Sequence, residues 1–389
     1  MTDLDELTEP AKDDDAVAGV PARLVAAPAS TAQASAVLRA AADAGLSVAF
    51  RGGATTLDWG MPPRRLDLIV DTRRLTGVVE HAAGDLIAVV RAGTPMAELQ
   101  ERLAAAGQQL ALDTPVPGAT VGGTVAVSTS GPRRQLYGTA RDLIIGMTVV
   151  RADGTVAHSG GKVVKNVAGY DLAKLFTGAY GTLGLITRCA FRLHPLPAAE
   201  TVVRAAVPDL GAALAAIRAA QVVPSAVEVD GDCGEVAVLV EGTPAGVRER
   251  AAALARILGD DAGRPYWWGA YPWEPGGTGL KLTAALSRVP ALVADAAAVS
   301  RVRGSAGTGV LYAGLPPGTP PDEAADTVSR LRAAAGAAGG HAVVLTAPPQ
   351  VRERVDMWGP VDGLALMRRV KQQFDPDARL APGRFVGGI

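Results

Sequence analysis

Apolar positions begin to recur in an orderly way only after about residue 20. Arg23–Ala27 predicts a short strand; Ser30 or Thr31 then supplies an N-cap for an Ala-rich helix closed by Gly45, and Leu46–Phe50 predicts the next strand. This is a β-α-β start. Leu68–Asp71 and Ile87–Arg91 predict further strands, and Thr94-Pro95 offers an N-cap and an N1 proline ahead of a helix ending at Gly107. The alternation runs to Leu193, where His194-Pro195-Leu196-Pro197 interrupts it. Beyond that junction, Ala-rich helical patterns alternate with strand-like runs at Val236–Val240, Val310–Ala313 and Ala342–Leu345. Pro348-Pro349 marks a change to a charged helical stretch, Val361–Phe374, and a closing Pro382-Gly383-Arg384. Four segments follow: an acidic flexible tail over 1–19, a first domain over 20–196, a middle domain over 197–347 and a C-terminal segment over 348–389. The tail sets Asp3, Asp5, Glu6, Glu9, Asp13, Asp14 and Asp15 against Lys12, which predicts a solvated stretch without a site.

At 389 residues the chain has room for two or three domains with cores of their own. Its 38 Lys and Arg balance 39 Asp and Glu, so net charge offers no attraction for nucleic acid or an anionic membrane. No window approaches 18 uninterrupted apolar residues, and no basic n-region precedes an apolar h-region, which predicts a cytoplasmic protein without a transmembrane segment. Cys189 and Cys233, without CxxC spacing, are expected to be core thiols and not a zinc site or a disulfide. His81, His158, His194 and His341 stand alone, with no ligand spacing. Glycine is the outlier. The 46 Gly and 27 Pro make 73 of 389 residues, where average usage gives roughly 12%.

Familiar glycine motifs do not account for the surplus. Gly178, Gly181 and Gly184 are spaced G-x-x-G-x-x-G, not as a Rossmann fingerprint, and Gly161-Lys162 lacks the Ser or Thr that a P-loop needs next. Three clusters before residue 190 do account for much of it. Arg51-Gly52-Gly53-Ala54-Thr55-Thr56 follows a strand, where consecutive glycines let successive amides turn toward one anion, or make a tight turn. Pro117–Gly131 is small at nearly every position, so a long flat ligand could lie along its backbone. The third runs from Gly160-Gly161 through Asn166 and Gly169 to Gly184, with Gly178 also suited to cap a helix.

Together these segments resemble the FAD-binding domain of the vanillyl-alcohol oxidase and para-cresol methylhydroxylase (PCMH) family. The resemblance rests on RGGATT at 51–56, TVGGTVA at 120–126 with YG at 137–138 and RD at 141–142, GGKVVKNVAGYDL at 160–172 and GTLGLIT at 181–187. Within that family, KNVAGYDL and the closing FDPDARLAPGR at 374–384 resemble the FAD-binding subunits of bacterial glycolate oxidases. The resemblance implies an α+β fold: a discontinuous PCMH-type FAD-binding domain of two α+β subdomains, from 20–196 and 348–389, with an α/β cap between. It also implies that Arg51, Gly52, Gly53, Ala54 and Thr55 cradle the FAD pyrophosphate, and that Thr120, Gly122 and Gly123 lie against phosphates and flavin. Ser128, Ser130 and Gly131 would line the cofactor cleft, Tyr137 and Gly138 would shape it, and Gly184 and Ile186 would meet the isoalloxazine or adenine. Val127 stands where many relatives carry a hydroxyl. Ala54 stands where covalent members place a histidine, so the FAD is expected to be non-covalent.

Oxidising a 2-hydroxy acid at a flavin requires a cation for the carboxylate and a base near the hydroxyl. Catalytic relatives meet this with an H-x-G-D-x-N-x-H run, which is missing here; His341 has neither a second histidine nor an acidic neighbour. The resemblance therefore implies a flavin-carrying subunit of a glycolate oxidase complex, with a catalytic flavoprotein subunit and an iron–sulfur subunit as partners and a small 2-hydroxy acid as substrate. Any membrane attachment would be peripheral, through those partners. A stand-alone FAD-linked oxidoreductase and a non-catalytic scaffold remain alternatives, and no catalytic residue is assigned. Arg368, Arg369, Lys371 and Arg384 either make a solvated face or hold a carboxylate, and Tyr266-Trp267-Trp268 with Tyr271-Pro272-Trp273 either pack in the cap or form an interface.

Overall fold

The computed structural model describes residues 4–161, 170–259 and 261–389. They form two compact units: one takes in the chain up to Ser130, Thr139–Leu196 and Pro360–Ile389, the other Gly131–Gly138 and Pro197–Gly359.

The first unit contains two larger sheets beside two two-stranded ones. In one, β1 (Glu9–Pro10), β2 (Leu24–Ala26), β3 (Val48–Arg51) and β4 (Leu68–Asp71) lie in the order β1-β2-β4-β3, with β2 and β3 parallel to β4. Parallel strands need a crossover, and α1 (Thr31–Asp43) supplies the one from β2 to β3, which lie on either side of β4. Its N-cap is Ser30, whose hydroxyl accepts from the Gln33 amide at 3.1 Å, a contact worth about 1 kcal/mol. Ala34, Val37, Leu38 and Ala41 recur at helical spacing and bury against Val48, Leu68, Val70 and Leu380. In the other sheet β5 (Val78–Ala82), β6 (Ile87–Arg91), β7 (Ile144–Val150), β8 (Val156–Gly160) and β9 (Leu185–Arg192) are antiparallel in the order β8-β7-β9-β6-β5. The helices α2 (Met96–Ala104) and α3 (Val121–Val127) share its core through Leu99, Leu103, Val121 and Val125. The cap of α2 is Pro95 and not Thr94, because the buried Thr94 hydroxyl is engaged by the Gly77 amide at 2.9 Å.

The acidic segment is not a loose tail. β1 pairs with β2, Ala16–Val17 pairs with Val20–Pro21, and Val17 is fully buried. Asp15 is 7% exposed. A charge count treats each acid as solvated, but Asp15 meets the Arg51 guanidinium at 2.5 Å and accepts from the Lys12 amide at 2.8 Å.

The second unit opens with the one-turn α4 (Arg134–Tyr137) and continues with β10 (Ala199–Ala206), β11 (Ala226–Asp230), β12 (Glu235–Gly242), β13 (Thr278–Thr283), β14 (Arg301–Ser305), β15 (Val310–Leu315) and β16 (Ala342–Thr346). The sheet order is β10-β12-β11-β14-β15-β13-β16, and every pairing is antiparallel. This makes the helix-and-sheet cap an α+β unit and not one built on a parallel sheet. The helices α5 (Leu210–Ala219), α6 (Pro244–Leu258), α7 (Val289–Ala297) and α8 (Pro321–Ala337) complete it. The unit runs on past Pro348 to Gly359 because Val344 donates to the Met357 carbonyl at 2.8 Å and Met357 is fully buried.

The aromatic cluster packs within this unit. Trp267 is 1% exposed against Val202, Ala226, Ala237 and Leu239, and its indole N–H donates to Glu235 at 2.6 Å. Tyr271 stacks on Trp273 at 4.4 Å and meets the edge of Tyr312 at 4.8 Å. Of the six residues, Tyr266 stands out as exposed. Cys233 is also exposed, in the turn between β11 and β12, so only Cys189 is a core thiol, its pKa pushed up to about 12 by burial. The chain returns to the first unit with α9 (Leu364–Phe374).

Candidate functional site

A cavity in the first unit gathers residues from six separate stretches of sequence. Its lining includes Arg51, Gly52, Gly53, Ala54, Thr55, Thr120, Gly122, Gly123, Gly184 and Ile186, ten of the residues singled out above. Ser128 and Ser130 lie in the same unit outside that lining, and Gly131, Tyr137 and Gly138 belong to the second unit. The segment Lys162–Gly169, carrying most of the KNVAGYDL motif, lies outside the described residues.

The glycine loop after β3 carries the chemistry. β3 and β4 run parallel, so the chain leaves β3 at its C-terminal end beside Asp71 and Thr72, the end at which parallel sheets bind ligands. Ala54 sits in the left-handed region at φ 59°, the alternation that turns successive amides toward one point. Among the described residues, the backbone amides of Gly52, Gly53, Ala54, Thr55 and Thr56 have no hydrogen-bond acceptor. Five consecutive unsatisfied donors lining one cavity suit a polyanion such as a pyrophosphate, because unmet donors otherwise carry a desolvation cost.

The other loops contribute differently from what the sequence suggests. The first amides of α3 are already used: Val121 donates to Thr94 at 2.9 Å, Gly122 to Ala92 at 2.7 Å, and Gly123 to the Thr120 hydroxyl at 3.4 Å. Gly122 and Gly123 therefore serve by lacking side chains; a Cβ on Gly122 would meet Ala92 at 2.7 Å. The missing side chain at Gly122 lets the start of α3 seat against Ala92, which itself lines the cavity. The α9 region closes another side, with Phe374 edge-on to the cavity residue Phe176 at 5.3 Å and Phe385 against Tyr180 at 5.8 Å.

Arg51 is not a free phosphate ligand. Its guanidinium is shared between Asp15 at 2.5 Å and Asp71 at 3.0 Å, all three side chains being largely buried. The Lys12 amide and Arg51 hold the Asp15 carboxyl below its ordinary value. At Asp71, burial pushes the carboxyl up, and hydrogen bonds from Arg73 with the charges of Arg51 and Arg73 more than offset it. Both native pKa values lie below the ordinary 3.8. The stabilisation is thus complete above that value and is lost as pH falls through the native values. Stability of the first unit, followed by intrinsic fluorescence, is expected to hold at about pH 5 and to decline on acidification from roughly 3.8 downward, with a flatter decline in Arg51→Met.

Arg384 and Lys371 are also committed. Arg384 is 5% exposed and donates to the carbonyls of Leu57 at 2.9 Å and Trp59 at 2.8 Å, bracing the glycine loop. Lys371 is buried against Asp375. Sequence inspection missed Asp15, Asp71, Tyr180 and these bracing roles; an isolated acid or arginine carries no local signal of a partner 20, 36 or 327 residues away. Cavity-lining residues include no histidine, cysteine, lysine or carboxylate among those described, and no described group of His, Cys, Asp or Glu could hold a metal ion.

Two family models and several relatives match parts of this chain. Residues 22–160 match the FAD binding domain, and residues 350–385 match the C-terminal domain of FAD linked oxidases. Glycolate oxidase subunit GlcE of Escherichia coli is 39% identical over 137 residues, 35% of this chain and 39% of that protein. D-lactate dehydrogenase [cytochrome] 1 of Saccharomyces cerevisiae is 36% identical over 183 residues, 46% of this chain and 31% of that protein. The aligned stretch thus spans well under half of either relative. An alkyldihydroxyacetonephosphate synthase structure shares the fold with a TM-score of 0.69 at 15% identity, covering 92% of this chain and 76% of its own. Both matched segments contribute residues to the cavity, and over those segments the chain is similar to FAD-linked oxidoreductases.

Proposed function

We propose that this chain is the FAD-carrying subunit of a glycolate oxidase-type complex, supporting oxidation of a small 2-hydroxy acid while a partner flavoprotein subunit performs most of the chemistry. The observation that carries this reading is the pairing of a donor-rich cavity with a lining that holds no acid–base group of the histidine, lysine or carboxylate kind among the described residues. When bound, FAD supplies a two-electron acceptor for a C–H bond beside a hydroxyl. The amides of Gly52–Thr56 would bind its pyrophosphate, and the bare backbone at Gly122 and Gly123 would let the ligand lie close. Likeness to glycolate oxidase subunit GlcE supports the complex. An iron–sulfur subunit is proposed with it on the family resemblance alone; the two separate cysteines of this chain could not hold a cluster themselves. We place the chain in the cytoplasm; no described helix is long and apolar enough to cross a membrane.

The test is spectroscopic. The chain is purified alone and with its co-purifying partners, and glycolate is added anaerobically. Flavin bleaching in the complex alone is expected. Bleaching in the isolated chain would overturn the subunit reading in favour of a free-standing enzyme, and a colourless chain that FAD cannot reconstitute would overturn both. A second expectation concerns attachment: with no histidine or cysteine among the described lining residues, denaturation should leave the flavin in the supernatant. Yellow colour in the precipitated protein would contradict non-covalent binding.

A further inference from the structure

One stretch near the C-terminus holds the glycine loop from both sides. Ahead of the loop, the Val48 amide at the start of β3 donates to the Arg379 carbonyl at 2.8 Å, and the Val48 carbonyl accepts from the Ala381 amide at 2.7 Å. Beyond it, the buried Arg384 guanidinium donates through Nη1 to the Leu57 carbonyl and through Nη2 to the Trp59 carbonyl, and the Met61 amide donates to the Arg384 carbonyl at 3.2 Å. Ala381 lines the cavity in the left-handed region at φ 45°, so this stretch accepts backbone strain where it passes the site.

Two turns carry the tie into the loop itself. The Leu57 amide donates to the Ala54 carbonyl at 3.3 Å, and the Trp59 amide donates to the Thr56 carbonyl at 3.1 Å. Leu57 and Trp59 thus bond back to the loop through their amides and outward to Arg384 through their carbonyls. The Ala54 carbonyl and the Thr55 amide share one peptide plane, so fixing the carbonyl aims the amide. We propose that Arg384 is a positioning residue for the cofactor: it holds the Leu57 and Trp59 carbonyls so that the amides of Gly52–Thr56 already converge before an anion arrives.

This role rests on the loop's binding the pyrophosphate, as proposed above. Arginine suits the task because its planar fork offers donors in a fixed geometry to two carbonyls at once, which a lysine ammonium on its flexible stem does not. With both terminal nitrogens engaged by backbone, Arg384 acts on the ligand through the loop. Preorganisation of this kind has a kinetic signature. When only a fraction of molecules hold the competent loop, apparent affinity falls by that fraction and the loss appears in association, whereas loss of a direct contact speeds dissociation.

The test uses the full chain stripped of flavin, mixed rapidly with FAD and titrated with FAD and with ADP, which keeps the pyrophosphate and lacks the flavin. Arg384→Met is expected to weaken both ligands by a similar factor, about tenfold or more, with slower FAD association and a dissociation rate within about twofold of wild type. Arg384→Lys keeps the charge and can reach one carbonyl, so it should recover part of the loss; it also preserves the test if the methionine variant does not fold. Unchanged FAD affinity in the folded variants, a loss confined to FAD with ADP unaffected, or a loss carried by faster dissociation would each overturn the role. So would a lowered urea midpoint with unaltered FAD association, the mark of a merely structural brace. A wild-type chain that takes up neither FAD nor ADP would overturn the reading of the cavity and this role with it, whereas wild-type binding with indifferent variants removes Arg384 alone.

Discussion

Gly53→Ala is expected to yield a folded protein that retains little or no FAD. A Cβ at this position falls well inside contact distance of the Gly118 carbonyl oxygen, and one on Gly52 would strike the Thr120 hydroxyl. The Gly118 carbonyl is backbone and cannot rotate away as a side chain would. The loop after β3 must therefore move off the 118–120 loop, and both loops line or border the cavity. Overpacking of this kind costs about 1–3 kcal/mol. The larger consequence falls on binding, because misdirecting even two of five convergent amides removes charge-assisted hydrogen bonds worth about 1.5–3 kcal/mol each. A fall in FAD affinity of about a hundredfold or more is expected. Flavin-to-protein absorbance of the purified variant and titration with added FAD measure it. Wild-type flavin content together with an unchanged urea midpoint would show that the loop does not bind the cofactor.

Lys371→Met is expected to produce the largest loss of stability. The Lys371 ammonium, 7% exposed, donates to the Thr182 carbonyl at 2.8 Å, to Asp375 at 2.7 Å and to the Leu380 carbonyl at 2.9 Å, satisfying all three of its protons. Asp375 is 1% exposed and also accepts from the amides of Arg379 at 3.1 Å and Leu380 at 2.7 Å. Removing the cation leaves a buried carboxylate with two amides and no counter-charge, which costs about 3–5 kcal/mol. The damage reaches the cofactor cavity, since Thr182 lies between the lining residues Gly181 and Gly184, and Leu380 bridges to Val48 at the start of β3. A lowered urea midpoint and weakened flavin retention should appear together. Adding Asp375→Leu should recover part of the loss by removing the stranded charge. An unchanged midpoint in Lys371→Met would sink this account of the clamp.

Local chemistry was legible wherever a residue's role depends on its own backbone or its near neighbours. The strands at Leu68–Asp71 and Ile87–Arg91 match the apolar runs residue for residue, and the Ser30 cap follows from Ser, spacing and the Ala-rich stretch that it opens. Glycine loops are of the same kind. An anionic, flat cofactor demands bare backbone at particular points, and that demand is written as runs of Gly, Ala and Thr. Thr94 shows the limit of such inference: it has the type and position of a cap, but a tertiary partner, Gly77, takes its hydroxyl. Thr120, Gly122 and Gly123 line one cavity, yet the amides of Gly122 and Gly123 bond within the protein. Residue type signalled proximity there, and only geometry could distribute the donors.

Charges were the part that resisted sequence inspection. By itself the sequence determined the strands, the capped helix and the bare glycine loops, because periodicity and backbone permissiveness are properties of short segments, and the order of those loops carried the resemblance to PCMH-type flavoproteins. Tertiary structure decided what each buried charge does. Asp15 left the presumed tail to neutralise Arg51, and Lys371 and Arg384 became braces and not a carboxylate site. The physical reason is that a charge's worth depends on the partner and the solvent exposure that the completed fold assigns to it, and neither is encoded near the residue in the chain.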